Sequence, residues 1–348
     1  MLVYWIMFLL LVMMTLIGGH SRRSIGISWY IIGLFFILVI GFRDCVGCDW
    51  DSYVGYYERL DGATLSEALR QSDPAHQFFN WLMNQWGWGV YGVNLIYGII
   101  FMVGLIKFSR MQLYPWLAMA VATPYLIIVF VMGYSRQGVA IGLFMWAMTH
   151  LQKGRFKTYM AYMVFAAMIH KTALIMIPLG IFLYGKGLWI RLFMVVPIVY
   201  GAWRYLLSGE LAYMWSGYIE DQMQSQGAKV RVLMNFIPAL ILFYYRKEWK
   251  RQFSDYAIWF WIALGSIFAM AVVGLASTAV DRVSLYFIPI QLVVFSRLPY
   301  LARRIVAPQV TIYTILFAYA SVLFVWLNYA THSFCWVPYK NIIISDLW

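Results

Sequence analysis

The chain is a succession of long apolar runs, and this pattern constrains its structure more than any motif does. The runs cover 1–19, 25–42, 90–108, 113–132, 134–151, 158–170, 172–185, 187–207, 232–246, 256–276, 283–296 and 308–329. Stretches of roughly 17–25 apolar residues match the rise of a helix across a hydrocarbon core of about 30 Å. Only helices and closed barrels satisfy their backbone groups in lipid. These runs are too long and too uniformly apolar to be the alternating strands of a barrel. Charged residues make up 11% of the chain, against about 25% in water-soluble domains, which excludes a soluble enzyme. The expectation is an all-α, polytopic membrane protein, a single integral membrane domain over 1–348 with about twelve transmembrane helices. The first run has no preceding Lys or Arg and no small-x-small cleavage site, so it reads as a retained span.

Charge sets the orientation. With "HSRRS" in the cytoplasm and alternation from there, the cytoplasmic connectors hold 16 of the 26 Lys and Arg but only Glu248 and Asp255 of the 14 acidic residues. That is the bias that orients membrane helices. The net charge of +12 is therefore a topology signal and not a nucleic-acid one. Parity adds a break near His170-Lys171. One unbroken helix over 158–185, with 187–207 still crossing, would put "YYRKEWKRQ" outside and the acidic "SGYIEDQ" inside. The alternative has ten spans, with 187–207 lying in the outer interface.

Two outer segments are more than connectors. The first, 43–89, is too long for a passive turn. "TLSE" (Thr64 to Glu67) predicts a capping box, and "SDPAHQFFNWLMNQWGWG" predicts a helix with Asp73 as N-cap and Pro74 at its first position. Phe78, Phe79, Leu82, Met83 and Trp86 would share an apolar face, giving an amphipathic helix on the outer membrane surface or roofing a cavity. The second segment, 208–230, is polar and would cap the same side.

Cations from five separate places reach this outer boundary, where positive charge is disfavoured. Arg43 ends the second run, Arg136 opens the fifth, and His170 and Lys171 sit at the expected break. Arg231 precedes the ninth run and Arg282 opens the eleventh. A charge at membrane depth costs about 2.5–3.5 kcal/mol or more, so it persists where it pairs or works. Arginine binds phosphate oxygens bidentately and stays charged when desolvated, and helix N-termini at Arg136 and Arg282 favour an anion. The cluster suits a diphosphate at headgroup level. The plainer reading pairs each Arg with a neighbouring acid, Asp44 or Asp281, or lets it snorkel to lipid phosphate. His170 is the one histidine at a hydrophobic helix end and a candidate general base, set against a packed histidine with one hydrogen bond. Asp49 could orient it, bind sugar hydroxyls, or simply cap the helix that begins "DWDSYVGYYERL", which also carries Tyr53. No ligand-spaced cluster suggests a metal. Cys45 and Cys48 form a C-x-x-C compatible with a local disulfide on the oxidising side, which leaves Cys335 without a partner.

"GFRDCVGCDWDSYVGYY", "DPAHQFFNWLMNQWG", "GYSRQGVAIGLF", "IHKTALIMIP" and "DRVSLYFIP" follow one another in an order and spacing that resembles EpsG-like proteins, themselves similar to Wzy-type O-antigen and exopolysaccharide polymerases. The resemblance implies a GT-C-like glycosyltransferase in the bacterial inner membrane. It would move a glycan from undecaprenyl diphosphate onto a lipid-linked repeat at the periplasmic face, without a nucleotide sugar; no metal or other cofactor is expected. A chain-length regulator is a possible partner; nucleic acid is not. Carried over, Arg43 and Asp49 match the family's first element, Arg136-Gln137 its "RQ", His170 its "HK", and Arg282 its late Arg. Cys48 stands where Thr is expected. The resulting site has His170 and Asp49 as catalytic groups. Arg43, Asp44, Tyr53, Arg136, Gln137, Lys171, Arg231, Asp281 and Arg282 would contact substrate. An O-antigen ligase or a flippase for lipid-linked oligosaccharide are the alternatives. The concentration of charge at one face and the lack of an internal repeat count against the flippase.

Overall fold

A computed structural model describes residues 1–18, 26–71, 73–184, 187, 196–197, 200, 227–275 and 277–345. The run 187–207 and the outer segment 208–230 fall almost wholly outside the described residues. In chain order the helices are α1 (Leu2–Gly18), α2 (Ile27–Gly41), α3 (Trp50–Glu58), α4 (Leu65–Leu69), α5 (Pro74–Trp86), α6 (Gly89–Ser109), α7 (Pro115–Ala122), α8 (Ser135–Leu151), α9 (Phe156–Ile169) and α10 (Ile177–Tyr184). They continue with α11 (Ala228–Tyr244), α12 (Arg246–Gln252), α13 (Tyr256–Val272), α14 (Ser277–Ser284), α15 (Pro289–Leu301) and α16 (Pro308–Tyr329). Among the described residues, strand structure is confined to β1 (Arg43–Asp44) and β2 (Lys340–Asn341), paired antiparallel.

Length and composition qualify two described helices as membrane spans, Gly89–Ser109 and Pro308–Tyr329, or up to four if each of two bent pairs is one span. The bent pairs are α11 with α12 (76°) and Ser277–Phe287 with α15 (47°). Pro289 at the start of α15 explains the second bend, since a proline disfavours helical backbone before it. Six further apolar helices are shorter. The break expected at His170 is present: α9 ends at Ile169, His170 is extended (φ −151°, ψ 111°), and a 3-10 turn follows over Lys171–Met176.

The core is built on α7. Every residue from Tyr114 to Gly133 is buried, as expected of a helix apolar on all sides. Pro124 lies within it, lacking an N–H and crowding the carbonyl four residues back. There the backbone widens into a π-helix over Thr123–Val131, while the Thr123 hydroxyl donates to the Met119 carbonyl at 2.9 Å. Around this axis α6 packs on α2 and α8, α8 on α9, and α11 on α13, α14 and α15. Close approach of α6 and α8 requires glycine. A Cβ on Gly104 would overlap the Gly142 carbonyl, and one on Gly142 would meet Phe101 Cα at 2.7 Å. Small residues at such contacts let membrane helices approach backbone to backbone.

In the outer segment the expected helix starts are present, with Asp73 at the N-cap position and Pro74 first in α5. The Thr64–Glu67 capping box forms, but Asp73 makes no cap hydrogen bond with its side chain. The amphipathic helix α5 turns its polar stripe towards the protein. His76, Gln77 and Asn80 are buried with Met83, whereas Trp86 is 61% exposed. The polar stripe turns inward because it finds partners there. His76 Nδ1 meets the Tyr97 hydroxyl at 2.7 Å, and Gln77 Nε2 donates to Gln71 Oε1 at 2.9 Å.

The cysteines also pair otherwise than their spacing suggests. Cys48 is bonded to Cys335, 287 residues away, and Cys45 is free and exposed. The bond works with the β1–β2 ladder and with Gly47 N–H donating to the Cys335 carbonyl at 2.9 Å. Together they tie the start of the outer segment to the segment after α16. Cys48→Ser is expected to lower thermal stability in detergent by about 2–4 kcal/mol, since the bond closes a very long loop. Cys45→Ser should leave the melting midpoint unchanged. Equal midpoints for wild type and Cys48→Ser would contradict the pairing.

Candidate active site

A cavity of about 280 Å³ opens where the outer segment meets the helix ends. Asp49 and Tyr53 come to it from the start of α3, Tyr125 from the π-helix, and Tyr134, Arg136 and Gln137 from the turn into α8. His170 comes from the break after α9, Arg231 from α11, and Thr278, Asp281, Arg282 and Leu285 from α14 and the turn beyond it. Each arrives from a helix terminus or break. That placement reflects cost: a charge is least expensive where the helix emerges from apolar surroundings.

The arginines differ in what neutralises them. Arg136 Nη1 donates to Asp73 Oδ2 at 3.0 Å, and its guanidinium lies 4.7 Å from the centre of the Tyr56 ring. Arg231 Nε donates to Asp281 Oδ1 at 2.7 Å, with Nη2 on the other oxygen. Among the described residues the Arg282 side chain has no hydrogen-bond or ion-pair partner, although its backbone carbonyl accepts from Gln137 Nε2 at 3.0 Å. Two of the three guanidiniums are thus ion-paired, whereas Arg282 reaches the cavity wall without an ion pair among the described residues. Burial raises the Asp49 carboxyl above the usual range, with Arg136 and Arg282 opposing it. Burial also pushes the Tyr53 hydroxyl up to about 12, so Tyr53 is a neutral donor.

Of the residues expected to meet substrate, Asp49, Tyr53, Arg136, Gln137, His170, Arg231, Asp281 and Arg282 line this one cavity. Three others do not. Arg43 is 1% exposed, and its donors go to the Met132 carbonyl (3.1 Å), the Ile40 carbonyl, Asn94 Oδ1 (3.1 Å) and Ser135 Oγ (2.6 Å). A guanidinium so occupied holds the turn that presents Arg136; it is a brace behind the wall. Asp44 accepts the Tyr91 hydroxyl at 2.8 Å within the β1 region. Lys171 contributes its backbone N–H, which donates to Asp73 Oδ1 at 3.3 Å. The carboxylate nearest His170 is Asp73, with Oδ2 at 4.0 Å from Nδ1, and not Asp49. Among the described residues no group of three metal-ligating side chains is gathered.

Sequence reasoning missed Asp73 as a member of this site. Its signal was ambiguous, because Asp before Pro before an apolar run is also the commonest helix start. A second layer stands behind it. His76 packs its ring 5.3 Å from that of Tyr56, and burial, with Arg136 adding, pushes its imidazole down to about 3, so it is neutral.

Burial raises the Asp73 carboxyl, yet His170 and Arg136 together hold it below the ordinary range. The pair's contribution to stability is therefore complete above a pH of about 4 and lost as the pH falls through the lowered value. Arg136→Gln leaves a carboxylate 5% exposed without its guanidinium. The expected loss at pH 7 is about 2–3 kcal/mol, below the roughly 3–5 of fully buried pairs because Arg136 keeps some solvent contact. Adding Asp73→Asn should restore part of it. Melting midpoints of the two single variants and the double variant check this, and strictly additive losses would contradict it.

Neither the search of curated proteins nor that of solved structures gave a match. The family model described as the EpsG family matches residues 26–341, which includes every residue lining the cavity. The chain belongs to the EpsG family.

Proposed function

We propose that the protein is a membrane glycosyltransferase that polymerises glycan. It would transfer a growing chain from undecaprenyl diphosphate to a lipid-linked repeat unit at the periplasmic face of the bacterial inner membrane. Family membership suggests a polymerase-like membrane glycosyltransferase. The observation that carries the finer reading is the convergence of Arg136, Arg231, Arg282 and His170 with Asp49 and three tyrosines on one cavity. Guanidiniums suit the diphosphate oxygens bidentately, above all Arg282, which has no ion pair among the described residues. Tyrosine faces and hydroxyls suit a sugar ring that is apolar on one side and polar at its edge. A twelve-span arrangement that follows the distribution of Lys and Arg puts this cavity outside. The Cys48–Cys335 disulfide, adjacent in sequence to Asp49, supports an oxidising compartment for it.

The mechanism follows from the charges. Diphosphate is a good leaving group, so catalysis needs orientation and charge stabilisation more than acid assistance. The acceptor hydroxyl oxygen forms a bond to the anomeric carbon and the bond from that carbon to the diphosphate oxygen breaks. The diphosphate departs with the electron pair towards Arg136 and Arg282. The hydroxyl proton passes to His170. Asp49, held partly out of water, binds sugar hydroxyls or takes the proton in the imidazole's place.

Purified protein supplied with lipid-linked repeats and no nucleotide sugar is expected to produce a ladder of longer glycans. Arg282→Ala and His170→Ala are each expected to abolish the ladder while melting as wild type does. A wild-type preparation that yields single repeats only would overturn the reading, as would full elongation by both variants.

A further inference from the structure

Asp73 holds one carboxylate between Arg136 and His170. Oδ2 binds Arg136 Nη1 at 3.0 Å and stands 4.0 Å from His170 Nδ1, while Oδ1 accepts from the backbone N–H of the next residue, Lys171. The carboxylate is 5% exposed, and its backbone is left-handed (φ 58°), a conformation uncommon outside glycine that Asp adopts more readily than most residues. His170 Nδ1 is buried and has no hydrogen-bond partner among the described residues. An imidazole that accepts a proton at Nε2 carries N–H at Nδ1, and a carboxylate there fixes the tautomer and stabilises the imidazolium. In this structure that carboxylate is engaged by Arg136.

We propose that Asp73 is a shared positioning residue that makes proton acceptance by His170 conditional on a diphosphate at Arg136. This rests on the reading of the cavity as a glycosyl-transfer site for lipid diphosphates. An arriving diphosphate offers Arg136 several anionic oxygens in a geometry that matches its fork, in competition with one carboxylate. Arg136 keeps its place against Tyr56, whose hydroxyl is 3.3 Å from Nη2. As Arg136 turns to the diphosphate, Oδ2 is released, and the 4.0 Å gap to Nδ1 closes to hydrogen-bond length. His170 then takes the acceptor hydroxyl's proton at Nε2 while Asp73 holds Nδ1–H. The acceptor is activated only when the donor is in place.

The test compares the acid limbs of two pH profiles of elongation. The profile of kcat/KM for the donor reports the free enzyme, and that of kcat reports the donor-bound enzyme. In the wild type the kcat limb is expected at higher pH, because release from Arg136 in the donor-bound enzyme lets Asp73 shorten its 4.0 Å separation from His170. Asp73→Asn is expected to lower kcat by about 100-fold and to shrink the separation of the limbs. Asp73→Glu, which keeps a carboxylate, should recover part of both. Asp73→Asn at full kcat with wild-type limb separation overturns the coupling alone. Equal defects in the Asn and Glu variants with the separation unchanged reduce Asp73 to a structural role and also overturn it. Wild-type protein that makes no longer glycans overturns the transferase reading itself.

Discussion

The structure depends on how it meets the cost of placing guanidiniums at the edge of an apolar bundle. Arg136 and Arg231 each have a carboxylate brought from a distant part of the chain, Asp73 and Asp281 respectively. The first pair joins α5 to α8 and the second joins α11 to α14, so the ion pairs also hold the outer segment and the two helical groups in register around the cavity. Arg43 meets the same cost by a different route, spending its donors on carbonyls and hydroxyls. Arg282 lacks such a partner among the described residues. Arg282 is therefore the guanidinium of the cavity wall left to meet an anion under the proposed function.

The π-helix completes the arrangement. Pro124 forces the widened backbone in the middle of the most buried helix, and Tyr125 follows it directly into the cavity wall. Segments of this kind recur at functional sites because they redirect side chains that a regular helix would keep in the core. From the other side Trp336 donates its indole N–H to the Ile128 carbonyl at 2.8 Å. The segment that carries Cys335 is thereby also packed against the π-helix. The two ends of the chain thus converge behind the site.

Much of this was legible in the sequence, for a physical reason. A charged residue in an apolar chain is so costly that its position alone marks it, and Arg136, His170, Arg231 and Arg282 were marked in this way. The helical class followed from the apolar runs by the same logic. What escaped had no such cost attached. Asp73 sits in a polar segment, where its role as a helix cap and its role as a partner for Arg136 leave the same sequence trace. Arg43 was conspicuous, but its sequence position does not say whether its donors face a cavity or the carbonyls of a neighbouring helix. The inward polar face of α5 went unread because amphipathicity alone does not say which face meets the protein when the interior is itself polar. The Cys48–Cys335 pairing depends on two segments meeting in space, and spacing along the chain favoured the nearer cysteine.

The central claim is that three separate guanidiniums form one receptor for a diphosphate. Its most direct measurement is the affinity of purified protein for a short prenyl diphosphate, compared with Arg282→Gln and with the corresponding prenyl alcohol. The account requires that the diphosphate bind, that Arg282→Gln weaken it at least about tenfold, equivalent to about 1.4 kcal/mol, and that the alcohol bind equally poorly to both proteins. Equal affinity of wild type and Arg282→Gln for the diphosphate would contradict it.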